Sequence, residues 1–135
     1  MVCLDTTFLI DVIKGRQQVQ NIEDKIISKG ERITIAAPSL TELFRGLYLK
    51  KNLKHVTQEE IENINEIISS FKILDLKKES AILTGKIEAD LMNKGDVIDI
   101  EDIMIASICI KNNETLVTRN EKHFEKIQEL KIVSY

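Results

Sequence analysis

The sequence predicts a three-layer α/β/α domain with a mainly parallel sheet, and three observations predict it. Short apolar runs of strand length recur along the chain, near residues 2–4, 33–37, 71–75, 114–118 and 131–134. Between successive runs lies at least one segment whose apolar residues fall at helical spacing. Strands separated in this way pair in parallel, with helices covering both faces of the sheet. Finally, residues 99–111 are apolar on nearly every side of a helix, as in a helix enclosed by the core. A chain of 135 residues reads as one domain, residues 1–135, and is long enough to bury a core without covalent staples.

The elements follow in order. Val2, Cys3 and Leu4 form a short buried strand that Asp5 stops abruptly. Thr6 and Thr7 can cap the helix that follows, and Phe8, Leu9, Val12 and Ile13 supply its apolar face. Gly15 and Arg16 make a turn. Val19, Ile22, Ile26 and Ile27 give residues 17–29 a helical stripe, which Gly30 can end. A second strand spans residues 33–37. Pro38 and Ser39 open a helix running to Lys51, with Leu40, Leu43, Phe44, Leu47 and Tyr48 apolar. Thr57 and Glu60 form a capping box ahead of Ile61, Ile64, Ile67 and Ile68. A strand over residues 71–75 leads into a long helix over 78–93, which ends at Asn93, Lys94 and Gly95. The buried helix, a strand over 114–118, a last short helix over 120–129 and a strand over 131–134 complete the chain.

Composition narrows the function. The formal net charge is -3, so a phosphate backbone would have to be held by local basic patches or through bound cations. Cys3 and Cys109 both lie in apolar runs and read as small core residues of a reducing compartment. The apolar run after Met1 is broken at Asp5, which does not fit a secretory leader. The longest apolar run, residues 103–110, is far short of the ~20 residues that span a bilayer. A cytoplasmic protein without membrane attachment is expected.

The chemistry collects at strand ends. Asp5 stands where the first strand turns into a helix, and in open α/β sheets that edge binds ligands. Glu42 falls in the first turn after the second strand, Asp102 in the first turn of the buried helix, and Asn120 just after the fourth strand. Carboxylates converging on one edge repel one another unless a cation lies between them, and hard oxygen ligands suit Mg²⁺ or Mn²⁺. Each position also has a structural reading. Asp5 or Thr6 can cap the first helix, Ser39 and Glu42 match a capping box, Asp99 can cap the buried helix, and Asn120 can cap the last one. What capping leaves unexplained is Asp102, which opens a run, residues 103–110, that is almost wholly apolar.

The run Asp5-Thr6-Thr7-Phe8-Leu9-Ile10-Asp11, then Thr41-Glu42-Leu43, Asp102 to Ser107, and Leu116-Val117-Thr118-Arg119-Asn120 with His123 and Phe124 resemble, in order and spacing, the motifs of PIN-domain proteins. The likeness is to VapC-type toxins of toxin–antitoxin pairs and covers nearly the whole chain. It implies an endoribonuclease dependent on Mg²⁺ or Mn²⁺, with Asp5, Glu42 and Asp102 as its acidic core. It further implies an RNA substrate, a homodimer and an inhibitory VapB-like antitoxin. Many members carry Asp where this chain has Asn120, which makes Asn120 a supporting ligand or water-positioning group and bears on whether a second ion binds. Asp99 ranks behind Asp102 as a ligand. Asp11 is assigned a structural hydrogen bond, and Arg45 can pair with Glu42 across one turn. Thr6, Arg45, Arg119 and Lys122 are candidate substrate contacts, and Lys14, Arg16, Lys50, Lys51 and Lys54 are further basic options. His55 and His123 are not brought together by the sequence, so a two-histidine ribonuclease has little support. Thr84, Gly85 and Lys86 lack the remainder of a P-loop. The alternative is a non-catalytic nucleic-acid or protein-binding module on the same fold.

Overall fold

The computed structural model describes residues 1–49 and 56–135. The helix expected to run to Lys51 ends at Tyr48, where Leu49 turns to an extended backbone, and the candidates Lys50, Lys51, Lys54 and His55 lie outside the described residues. Among the described residues, five strands form one sheet: β1 (Val2–Leu4), β2 (Ile33–Ala36), β3 (Lys72–Leu74), β4 (Thr115–Thr118) and β5 (Lys131–Ser134). Their order is β3-β2-β1-β4-β5. Every pairing is parallel, so the mainly parallel sheet of the prediction is here parallel throughout.

Side-chain alternation along β1 and β4 divides the core between the two faces. Cys3 and Leu116 pack with Ile105, Ile108 and Cys109 of α6 (Ile100–Lys111), and Ile87 of α5 (Lys78–Asn93) joins that cluster. Leu4 and Val117 pack on the other face with Phe8 of α1 (Thr6–Ile13) and Val19 of α2 (Gln17–Ser28). Leu9, Ile35, Leu43 and Ile64 extend that side, joining α1 to α3 (Ala37–Tyr48) and α4 (Gln58–Ser69). The three layers are thus helices, sheet and helices. As its composition requires, α6 is enclosed: Ile103, Ile105, Ala106, Ser107, Ile108 and Cys109 are all buried.

Three local predictions need correction. First, α3 begins at Ala37, directly after β2, with Pro38 at the start of the helix and no side-chain cap. Pro at this point loses no hydrogen bond because the first helical N–H groups have no partner in the helix. Glu42 therefore sits in the second turn, and Ser39 and Glu42 form no capping box. Second, the final helix α7 is Glu121–Phe124, not residues 120–129. After Phe124 the chain descends by tight turns, with Ile127 N–H donating to Phe124 O at 3.0 Å and Leu130 N–H to Ile127 O at 3.3 Å. Third, strand ends recede by a residue at most. The capping box at Thr57 is formed, with Glu60 N–H donating to Thr57 Oγ1 at 3.1 Å and Thr57 N–H to Glu60 Oε2 at 3.4 Å.

Candidate active site

The topology fixes where a ligand would lie. From β1 the chain moves outward through β2 to β3, then returns to place β4 on the opposite side of β1. The strand order therefore reverses at β1, and the crevice opens beyond the C-terminal ends of β1 and β4. Leu4 lies opposite Val117 in the register, so Asp5 and Thr118 are the next residues out on these strands. Asp5 N–H donates to Val117 O at 3.0 Å, extending the ladder by one bond.

Asp5 is held on all sides. Its carboxylate is 3% exposed and accepts the Thr6 N–H on Oδ1 at 2.7 Å. Oδ2 accepts the Thr7 hydroxyl at 3.0 Å and the Thr118 hydroxyl at 2.7 Å. Asp5 is thus both the N-cap of α1 and a residue of the crevice, so capping and site membership do not compete. Thr118 also accepts the Asn120 N–H at 2.9 Å, which pins the turn after β4 to the same corner. The Thr6 hydroxyl donates to Glu42 Oε1 at 2.9 Å, joining α1 to α3. Burial pushes the Glu42 carboxyl up, Thr6 opposes that shift, and the Asp5 charge adds to it.

Asp102 completes the group from α6. Burial first, and then the Glu42 and Asp5 charges, together raise its pKa to about 7, with His123 opposing. Three carboxylates from three separate segments thus feel one another at one sheet edge. Among the described residues no three His, Cys, Asp or Glu side chains close to ligating distance as they stand. What the geometry provides is a set of hard oxygen donors whose crowding a divalent cation would relieve, and that donor set fits Mg²⁺ or Mn²⁺.

The remaining candidates divide. Asp99 and Asn120 occupy the N-cap positions of α6 and α7, yet neither side chain makes a cap hydrogen bond. Arg45 pairs with Glu101 instead of Glu42. Arg119 Nη1 lies 3.2 Å from Asp11 Oδ2, and Tyr135 Oη donates to the same oxygen at 3.1 Å, so Asp11 has the structural bonds assigned to it. Lys122 borders a cleft of about 240 Å³ with Asp96, Asp99, Asp102, His123 and Lys126. Two residues named in the sequence only as parts of a motif take places in the site. His123 Nδ1 lies 3.8 Å from Asp102 Oδ2, a pairing 21 positions apart that no local pattern announces. Thr118 is the other, and a hydroxyl on the last residue of a strand beside Asp5 is a readable signal.

A family model for the PIN domain matches residues 2–130. The tRNA(fMet)-specific endonuclease VapC of Salmonella typhimurium is 30% identical over 129 residues, 96% of this chain and 93% of that protein. A VapC ribonuclease of Pyrococcus furiosus is 33% identical over 90 residues, and this match spans 67% of the chain but only 58% of that relative. Among solved structures, VapBC2 of Rickettsia felis bound to a DNA fragment from its promoter contains a chain that superposes with a TM-score of 0.85. It is 28% identical, and the match covers 100% of this chain and 99% of that one.

Proposed function

This chain belongs to the PIN-domain family, and we propose that it is a divalent-metal-dependent endoribonuclease, the toxin of a pair whose partner is a VapB-like antitoxin. The observation that carries the reading is the Asp102 carboxyl, raised to about 7 by burial and by the charges of Glu42 and Asp5 at the β1–β4 crevice. His123, 3.8 Å away, opposes that shift only in part, and on its other sides this carboxylate meets two more acids. The named activities of relatives that align along most of the chain support RNA as the substrate. The VapBC assembly that shares its fold supports the antitoxin partner.

Asp5, Glu42 and Asp102 would hold Mg²⁺ or Mn²⁺, with Asn120 and Asp99 as supporting oxygens. Bound there, the ion would polarise the scissile phosphate and acidify a water. The protein's own part is orientation. Thr6, Thr7 and Thr118 lock both Asp5 oxygens, and the Thr6 hydroxyl fixes Glu42. Lys122 lines the cleft beside Asp102 and would contact substrate there, whereas Arg45 and Arg119 are paired with Glu101 and Asp11. No helix among the described residues is long and apolar enough to cross a membrane, and we place the protein in the cytoplasm as a homodimer.

The test is cleavage of a bulk tRNA substrate by the purified chain freed of any partner, with Mn²⁺ and with EDTA. Cleavage is expected with Mn²⁺, absent with EDTA, and lost in Asp5→Asn, Glu42→Gln and Asp102→Asn proteins that still fold. Attack by water leaves 5′-phosphate and 3′-hydroxyl ends, whereas 2′,3′-cyclic phosphates would indicate attack by the ribose. An Asp102→Asn protein as active as wild type would remove the proposed acid core, and an inert wild type would favour the non-catalytic binding module.

A further inference from the structure

Among the described residues, Asp11 and Glu114 are the most enclosed acids outside the carboxylate group, each 2% exposed. Asp11 lies six residues beyond Asp5 on α1, too far along the helix to join the crevice directly. Three elements nevertheless converge on it. Arg119, in the turn after β4, reaches Oδ2 at 3.2 Å. Tyr135, just past β5, donates its hydroxyl to the same oxygen at 3.1 Å, with its ring edge-on to Phe8 at 4.9 Å between centroids. Arg16, in the α1–α2 turn, brings Nε to 3.5 Å of Oδ1, an ion pair without hydrogen-bond geometry, since that oxygen is buried with no hydrogen-bond donor.

Arg119 stands between two residues of the crevice. Thr118 before it gives its hydroxyl to Asp5, and Asn120 after it gives its N–H to Thr118. Fixing the Arg119 side chain therefore fixes the backbone carrying both. We propose that Asp11 is a positioning residue: through Arg119 it holds the turn after β4 so that Thr118 and Asn120 keep Asp5 aligned for a divalent cation. On this assignment Arg119 is a strut and not a grip on substrate phosphate. The proposal rests on the metal-dependent ribonuclease reading, and its test separates the two.

The test compares Asp11→Asn, Arg119→Gln, the double variant and Tyr135→Phe, with folding checked by circular dichroism. Calorimetric titration with Mn²⁺ alone reads the site without catalysis. Removing partners that orient metal ligands costs roughly 10–100-fold in affinity, and for this more remote support a loss of about three- to tenfold is expected in each single variant. Because the two residues act through one contact, the double variant should bind Mn²⁺ no more weakly than the worse single one. In RNA cleavage kcat should fall while KM holds. If Asp11→Asn does not fold, Tyr135→Phe still loosens Asp11 while keeping the ring on Phe8, and should show a smaller loss in the same direction. Unchanged Mn²⁺ affinity in Arg119→Gln and Tyr135→Phe overturns the proposal. So does a raised KM in Arg119→Gln with a salt slope reduced by about 0.7, the signature of a lost phosphate contact on a single strand. A wild type that binds Mn²⁺ but cleaves no RNA defeats the ribonuclease reading alone, because the titration still decides the strut; a wild type that binds no Mn²⁺ overturns both.

Discussion

Asp102 and Asn120 carry opposite tests of the same edge. The Asp102 carboxyl moves from its ordinary 3.8 to about 7 in the folded chain, first through burial and then through Glu42 and Asp5. Between those values the folded state holds a proton that the unfolded state has released, so metal-free stability falls as pH rises through that window. The contribution is complete below about 4 and lost above about 7. Glu42 shifts in the same direction and adds to the slope. Melting temperatures in EDTA from pH 4 to 8 should decline for the wild type and flatten clearly in Asp102→Asn; parallel curves would show that Asp102 is not the titrating group. Asn120 supplies a neutral carbonyl to a group of three acids. Because hard cations bind more tightly as carboxylates accumulate, Asn120→Asp should tighten Mn²⁺ binding and lower the metal-free melting temperature. A residue that merely capped α7 would tolerate the change silently, since Asp caps about as well as Asn. Unchanged Mn²⁺ affinity with unchanged metal-free stability would take Asn120 out of the site.

At the scale of elements, α6 joins core to chemistry. Its first turn presents Asp102, and its next residues are buried against the sheet. Ile105 and Ile108 are 0% exposed, and replacing either with Ala should cost about 2–5 kcal/mol through lost burial and the cavity left behind. Urea denaturation would measure it, and a cost below about 1 kcal/mol would mean that the site collapses around the gap. This helix is legible in the sequence because seven of its eight successive residues 103–110 are apolar, a composition that admits only burial. So are β1, β2 and β4, whose apolar runs end at Asp, Ala and Thr where the chain turns. The last helix is shorter than its sequence pattern predicts for a definite reason. Phe124, Ile127 and Leu130 are buried and stand three residues apart, a spacing that an amphipathic helix shares with consecutive tight turns. Local pattern also misassigned Arg45. Its partner Glu101 lies 56 positions away, and only the packing of α3 against α6 brings the two together. Asp5 and Asp102 are legible as acids at a strand end and a helix start, and Glu42 lies one turn deeper in α3 than its expected place, whereas the contacts from Thr118 to Asp5 and from Arg119 to Asp11 span more than a hundred positions and are set by topology.

For the whole molecule, the strand order places β1 at the centre and gives the crevice contributions from three distant stretches of chain: Asp5 after β1, Glu42 from α3 and Asp102 from α6. Net charge of -3 offers no general attraction for RNA, and two of the flanking cations are already paired, Arg45 with Glu101 and Arg119 with Asp11. A bound divalent ion would therefore serve two ends at once, neutralising the acids and tying the three stretches together. That coupling makes the metal a ligand of the fold as a whole. An ion that binds only the folded state stabilises it by about 2.7 kcal/mol when its free concentration is a hundred times its dissociation constant. For a domain of this size that corresponds to a rise of roughly 10 °C in melting temperature. Mn²⁺ should produce such a rise in the wild type and far less in Asp102→Asn, which loses one of the three charges. The same variant should be no less stable than wild type in EDTA, because removing a carboxylate from a crowded acid group relieves repulsion. A salt control with Na⁺ at matched ionic strength separates binding from screening. Equal Mn²⁺ shifts in wild type and Asp102→Asn would place the ion elsewhere on the molecule, and a destabilised Asp102→Asn in EDTA would show that Asp102 serves the fold more than the metal.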